Sequence, residues 1–306
     1  RIVRESTSTL VVDAGNSLGA AAAKFAMERC IAKAKETGCC FASVHSSNHF
    51  GTAAYYTRLA AAQDMIGFAC TNLKGKIAPF GSAEPYMGTN PISVAAPSDD
   101  LPVVLDMAPS VVALGKLILA QKLGKSIPEG WALDKDGHES TDAPDVLANI
   151  VAKKGGGIMP LGGSEEISGS HKGYGYGMLC ELFSSVLSQG INSDRCCTFP
   201  DKTGICHGFM AINPAFFGDA EAIRKHLSTF LEELRESPKA DGQERIYTHG
   251  EKEVAAVKDR MENGIPVNDN TMVEVLDLCN YLGLDFGKYF GSYLPPVKKD
   301  VFKGNY

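Results

Sequence analysis

The 306-residue sequence predicts a mixed α/β protein, a mixed sheet with flanking helices. Three observations carry this. Short apolar runs rich in β-branched and aromatic residues alternate with longer helix-like runs through the first half. The composition, 44% hydrophobic and 22% charged, excludes disordered and collagen-like chains. The length allows two or three domains, each with its own core.

Taken in order, Asn16 and Ser17 offer N-caps to an alanine-rich helix from Leu18 to about Glu36, closed by Gly38. CCFASVH reads as a buried strand, TAAYYTRLAAAQ after Gly51 as a helix, and IGFACTN as a second strand. PISVAAP and VVLDMA are further strands, and VVALGKLILAQKL has the length of a helix. From about Gly124 to Gly169 turn chemistry and clustered glycines predict an irregular, mobile stretch. HKGYGYGMLCELFSSVLSQG reads as a glycine loop entering a buried helix. GFMAINP is a strand, Asp219 to about Glu236 a long amphipathic helix, RIYTH strand-like, and two helical segments end the chain. The region after Gly124 and SPKADGQ near Ser237 are the expected boundaries.

The net charge of −6, with no basic cluster interleaved with aromatics, argues against nucleic acid as a partner. No apolar run approaches the roughly 18–20 residues of a membrane span. RIVRESTSTL lacks a signal peptide's apolar region. Nine scattered cysteines suit neither a disulfide framework nor a metal knuckle, so a reducing cytoplasm is the expected location. Cys196, Cys197, Cys206 and His207 fit no common zinc spacing, and no metal is expected.

Neither G-x-G-x-x-G nor G-x-x-x-x-G-K-[ST] occurs, so a nucleotide would need another binding architecture. His49 lies between a strand and a helix, where side chains converge on clefts; it suits proton transfer and equally suits a helix entry. Thr89, in Gly88-Thr89-Asn90-Pro91, sits in a turn that can also face a cleft. Asp106, closing a strand, can hold a ribose hydroxyl or cap the next helix. Lys116 is a surface lysine unless it points into the cleft. Lys172, ahead of a helix start, can hold a phosphate or belong to an exposed hinge. Gly250-Glu251-Lys252 is a weaker signal of the same kind.

The ordered blocks SNHFGTAAYY, APFGSAEPYMGTNPISVAAP, VVLDMAPSVVALGK, IPEGWALDKDG, HKGYGYG and INPAFFG are together far more specific. They resemble the malate/L-lactate dehydrogenase family unrelated to Rossmann-type lactate dehydrogenases. That family includes malate, sulfolactate, ureidoglycolate and diketogulonate dehydrogenases and Δ1-piperideine-2-carboxylate reductases. The resemblance implies a non-Rossmann NAD(P)-binding fold like that of L-sulfolactate dehydrogenase, and hydride exchange between a nicotinamide coenzyme and a small anionic 2-hydroxy or 2-oxo acid. Malate/oxaloacetate is the first choice of substrate, NAD the first choice of coenzyme with NADP possible, and a homodimer the expected assembly.

By position the resemblance implies that His49 exchanges a proton with the substrate oxygen, and that Thr89 and Lys116 hold the substrate. Coenzyme contacts fall on His49, Phe50, Gly51, Thr52 and Ala53, on Asn72, on Asp106, Met107 and Ala108, on Lys172 and Gly173, and on Gly250, Glu251 and Lys252. It implies an NAD(P)-binding domain over 66–234, with 1–65 and 235–306 belonging to a helical, substrate and dimerisation domain. Relatives also carry an upstream segment with Ser-His-Gly and a nearby Arg, which this sequence, opening at Arg1 without Met, does not contain. The alternatives are a cyclic imino-acid reductase and a non-catalytic nucleotide-binding protein on the same fold.

Overall fold

The computed structural model describes residues 1–294. In the first half, strands β1 (Ile2–Glu5), β2 (Thr9–Asp13), β3 (Cys39–Ser47), β4 (Ile66–Thr71), β5 (Ile92–Ala96) and β6 (Val103–Met107) are interrupted by helices α1 (Gly19–Thr37) and α2 (Ala54–Ala61). The second half holds α3 (Leu114–Leu123), β7 (Ala132–Leu133), β8 (Glu139–Ser140), α4 (Ala143–Ala152), β9 (Gly157–Ile158), α5 (Ser170–Glu181) and β10 (Ile205–Ile212). It ends in α6 (Ala220–Glu236), α7 (Glu251–Asn263), α8 (Asp269–Leu282) and α9 (Phe286–Phe290).

Seven strands form one sheet in the order β1-β2-β3-β10-β4-β5-β6, with β2 and β3 parallel and the other pairs antiparallel. The mixed sheet with flanking helices is therefore as predicted, and strands from both sides of position 65 share it. β10 lies at its centre, between β3 and β4, and β3 leads directly to His49.

α1 buries Ala22, Ala23, Ala26, Met27, Cys30, Ile31 and Ala34, a stripe at helical spacing made mostly of small residues that let it lie close on the sheet. Together with Tyr56 of α2 and Phe209 of β10 they form the main core. Each fully buried large side chain there, such as Met27 or Phe209, contributes roughly 1.5–3 kcal/mol. Gly19 opens α1 because a Cβ there would sit 2.0 Å from the Asn48 carbonyl oxygen. On the opposite face α5 continues into a π-helical turn, Leu182–Val186, which sets Phe183 against Phe41 and Phe68.

Several expectations change. Asn16 and Ser17 do not cap α1, whose N-cap is Leu18 with no side-chain bond. Their carbonyls instead accept the Asn48 amide at 2.9 Å each, which ties the start of α1 to the His49 turn. The stretch read as irregular holds α4 and a second sheet, β8-β7-β9, over a core that includes Leu117, Val146, Ile150 and Ile158. Its strands are two residues long, too short to leave an alternating pattern. HKGYGYG lies inside α5, with Lys172 and Gly173 in its first turn, so it is no loop. RIYTH forms no strand; its Thr248 and Arg245 are engaged by Glu251 instead.

Candidate active site

The end of β6 and the start of α2 are joined by one carboxylate. Asp106 Oδ2 accepts the Thr52 hydroxyl at 2.7 Å and the Ala54 N–H at 2.8 Å. A free N–H of the α2 entry is thereby met by an acid, as helix starts favour. Asp106 thus caps α2, not the helix that follows it in sequence, and its other oxygen has no hydrogen-bond partner among the described residues.

Above this clamp lies a cavity of about 590 Å³, a size typical of small-molecule sites. Thr52, Asp106, Met107 and Ala108 form one wall, and His249, Gly250 and Lys252 form another. The walls are stitched together where Val104 N donates to the His249 carbonyl at 3.0 Å. Gly250 takes φ +100° as the N-cap of α7, and a Cβ there would press on Val104 at 3.3 Å. The structure therefore gathers Thr52, Asp106 to Ala108, Gly250 and Lys252 from three distant segments. It adds Arg58, Tyr247 and His249, which carried no individual signal in the sequence. Lys252 Nζ lies 4.7 Å from the Tyr247 ring centre.

His49 stands three residues before Thr52, exposed at the turn after β3. Gly51, at φ +85°, returns its N–H to His49 Nδ1 at 3.1 Å. That bond leaves a lone pair on Nδ1, so in the neutral ring the hydrogen is on Nε2. Taking up a proton at Nδ1 requires releasing Gly51.

Beneath the turn, His207 is completely buried and stacks on Phe50 at 4.6 Å and 5°. Its Nε2 meets Ser47 Oγ and its Nδ1 meets Thr71 Oγ1, each at 2.8 Å. Burial lowers its pKa to about 3; the hydrogen bond to the Asn48 backbone opposes this and the charge of His49 adds to it. The Cys196 and Cys206 thiols are likewise buried among carbonyl acceptors, and burial first of all pushes both thiols up, Cys206 to about 11.

Other expected contacts lie elsewhere. The Phe50 and Ala53 side chains belong to the core, so only their backbone is available to a ligand. Asn72 is fully buried; its NH₂ donates to the Ile191 carbonyl (2.7 Å) and Glu181 (3.3 Å), and its Oδ1 accepts the Cys206 N–H (2.8 Å). Glu251 is 8% exposed and held by Thr248, Arg235 and Arg245, outside the cavity wall. Burial raises its pKa, but the Thr248 and Arg235 hydrogen bonds and the Arg245 charge outweigh this and leave it below the ordinary value. Lys116 also lies off the cavity, its Nζ 5.7 Å from the Trp131 ring centre.

Gly173 packs against Leu161, where a Cβ would come 2.1 Å from the carbonyl oxygen, and exposed Lys172 lies along Gly169. Both stand apart from the cavity wall, joined to it through Pro109, whose carbonyl accepts the Leu161 N–H at 3.2 Å. Thr89 is half-buried on the neighbouring loop, and its hydroxyl makes no hydrogen bond among the described residues.

A family model described as malate/L-lactate dehydrogenase matches residues 1–276. The malate dehydrogenase of Pyrococcus horikoshii is 37% identical over 286 residues, 93% of this chain and 78% of that protein. The L-sulfolactate dehydrogenase of Methanocaldococcus jannaschii is 36% identical over 297 residues, 94% of this chain and 80% of that protein. The crystal structure of malate dehydrogenase from Entamoeba histolytica superposes with a TM-score of 0.89 at 34% identity, covering 94% of this chain and 80% of that one.

Proposed function

We propose, from the premise that this chain belongs to the malate/L-lactate dehydrogenase family, that it interconverts malate and oxaloacetate using a nicotinamide coenzyme. That it is a dehydrogenase acting on a hydroxy acid follows from the family and its relatives. The observation carrying the proposal is the cavity in which Thr52, Asp106 to Ala108, Gly250 and Lys252 converge, with Thr52 three residues along the chain from His49.

The residues present fit a dinucleotide. The unengaged Asp106 oxygen suits a ribose hydroxyl, and this supports NAD as the first choice, with NADP second. Lys252 and Arg58 put positive charge on the same cavity, where phosphate oxygens would be held. When bound, the coenzyme donates or takes up the hydride. His49 exchanges the proton at the substrate oxygen, using Nδ1 in place of its bond to Gly51. The unengaged Thr89 hydroxyl binds the substrate, with Lys116 as a second, more distant contact.

The proposed division, 66–234 against 1–65 with 235–306, puts the cavity where the two parts meet, as small-molecule sites often are. A cytoplasmic homodimer without nucleic-acid or membrane partners completes the proposal. Exposed Met178, Leu179, Leu182, Val186 and Leu187 along α5 and its continuation support self-association. No helix among the described residues is long and apolar enough to cross a membrane.

The test is oxidation of NADH and of NADPH by the purified protein against oxaloacetate, pyruvate, sulfopyruvate, diketogulonate and Δ1-piperideine-2-carboxylate. Turnover of oxaloacetate is expected. Turnover of the cyclic imine alone would make the chain an imino-acid reductase, and coenzyme binding with no turnover would make it non-catalytic.

A further inference from the structure

Glu181, in the last turn of α5, is a half-buried carboxylate met by donors alone. Its Oε1 accepts Asn90 Nδ2 and the Ser193 N–H, each at 3.2 Å, together with the Ser193 hydroxyl. Its Oε2 accepts the Ser185 hydroxyl at 2.6 Å and Asn72 Nδ2 at 3.3 Å. Among the described residues no Lys, Arg or His forms an ion pair with it, whereas the buried Glu251 is paired with Arg235 and Arg245.

A partly desolvated charge without a counter-charge demands several well-aimed hydrogen bonds. The two amides aimed at it come from different loops. Asn72 follows β4, and its Oδ1 accepts the Cys206 N–H at 2.8 Å. Asn90 precedes β5, and its Oδ1 accepts the Leu73 N–H at 3.1 Å. Each amide thus has its oxygen committed to a donor, so only its NH₂ can face Glu181. The fit leaves no slack: a Cβ on Gly88 would stand 2.3 Å from the Leu73 carbonyl oxygen and 2.4 Å from Asn90 Oδ1. The loop is pinned on both sides of Thr89, while the Thr89 hydroxyl is left unengaged.

We infer that Glu181 is a positioning residue for the reaction: acting through Asn90, it fixes the Gly88–Pro91 loop so that Thr89 is presented to the 2-oxo acid. This rests on the substrate role proposed for Thr89. Glu181 touches neither substrate nor coenzyme. Its expected mark is therefore on substrate affinity and on loop order, with coenzyme binding untouched.

Glu181→Gln tests it, because the new NH₂ must face donors where an acceptor is required; Glu181→Asp keeps both acceptors on a shorter stem. Hydrogen exchange is expected to speed up across residues 87–92 in Glu181→Gln while α1 stays protected as in the parent. The KM for the 2-oxo acid is expected to rise about tenfold, the effect of one charge-assisted hydrogen bond, with the coenzyme KM within about twofold. Glu181→Asp should recover part of the loss. Thr89→Ala alone should raise the substrate KM, and adding Glu181→Gln should raise it no further. Unchanged exchange at 87–92, or equal rises in substrate and coenzyme KM, would overturn the inference. Additive effects of the two substitutions would overturn it as well. The exchange measurement needs no turnover, so an inactive parent protein would sink the proposed function and still decide whether Glu181 holds the loop.

Discussion

Thr52 donates its hydroxyl to Asp106 at 2.7 Å, and this contact binds the turn carrying His49 to the end of β6. The same Asp106 oxygen takes the Ala54 N–H, so one acid serves both the α2 entry and the cavity wall. Asp106→Ala should therefore lose about 1 kcal/mol of stability, the usual value of a helix cap, and weaken coenzyme binding. Asp106→Asn keeps an acceptor for the cap, so most of the stability should return while coenzyme affinity stays low. Thermal melts and coenzyme titrations on the two variants separate these effects.

Among the described residues His49 is held by a backbone N–H and by no side chain, an exposed imidazole on a turn fixed from below. Its loss should leave the fold intact. His49→Ala is expected to lower kcat about 10²–10⁴-fold, the range for a missing general acid or base, while coenzyme affinity changes little. Turnover near the parent rate would take His49 out of the mechanism.

The legible parts of the molecule carry their pattern within a local stretch of chain, and the illegible parts do not. α1 and the strands β3 to β6 announce themselves by local pattern, because each buries a face long enough to show its period. The second sheet does not, since two-residue strands have no period and its order comes from packing against α3 and α4. The site behaves likewise. Thr52, Asp106 and Gly250 were each ambiguous alone, and only folding brings them around one cavity. Arg58 and Tyr247 gave no signal, because a surface-type arginine and a loop tyrosine look the same on any face. Asn72 and Glu251 show a different effect: polar side chains near a site are also engaged by the protein's own hydrogen bonds, which no local pattern reveals.

Glu251 shows how much such an engaged group matters. It accepts Thr248 and answers both Arg235, at 3.0 Å, and Arg245. Glu251→Ala would leave Arg235 and Arg245 without their carboxylate beside α7, and because both arginines keep access to water a loss of about 1–3 kcal/mol is expected. Because Gly250 and Lys252 flank it on the cavity wall, coenzyme affinity should fall with it. Urea unfolding of the variant checks the first effect, and coenzyme titration below the unfolding midpoint checks the second.

The final prediction concerns His207, which lies under the His49 turn between Ser47, Thr71 and Phe50. Its pKa in the folded protein, about 3, is far below the 6.5 of a free imidazole. The folded state therefore keeps it neutral where the unfolded chain binds a proton. Above about pH 6.5 both states are neutral and this group adds no pH dependence. As pH falls below that, the unfolded state gains a proton that the folded state refuses, so stability drops toward pH 3, at up to about 1.4 kcal/mol per pH unit. Urea unfolding of the parent protein and of His207→Gln, measured between about pH 7 and pH 4, reads this directly. The variant should be less stable near pH 7, having lost the stacked ring, yet its stability should fall less steeply with acid by about one proton. Parallel slopes for the two proteins would mean that His207 takes up a proton in the folded state, which its complete burial against Phe50 opposes.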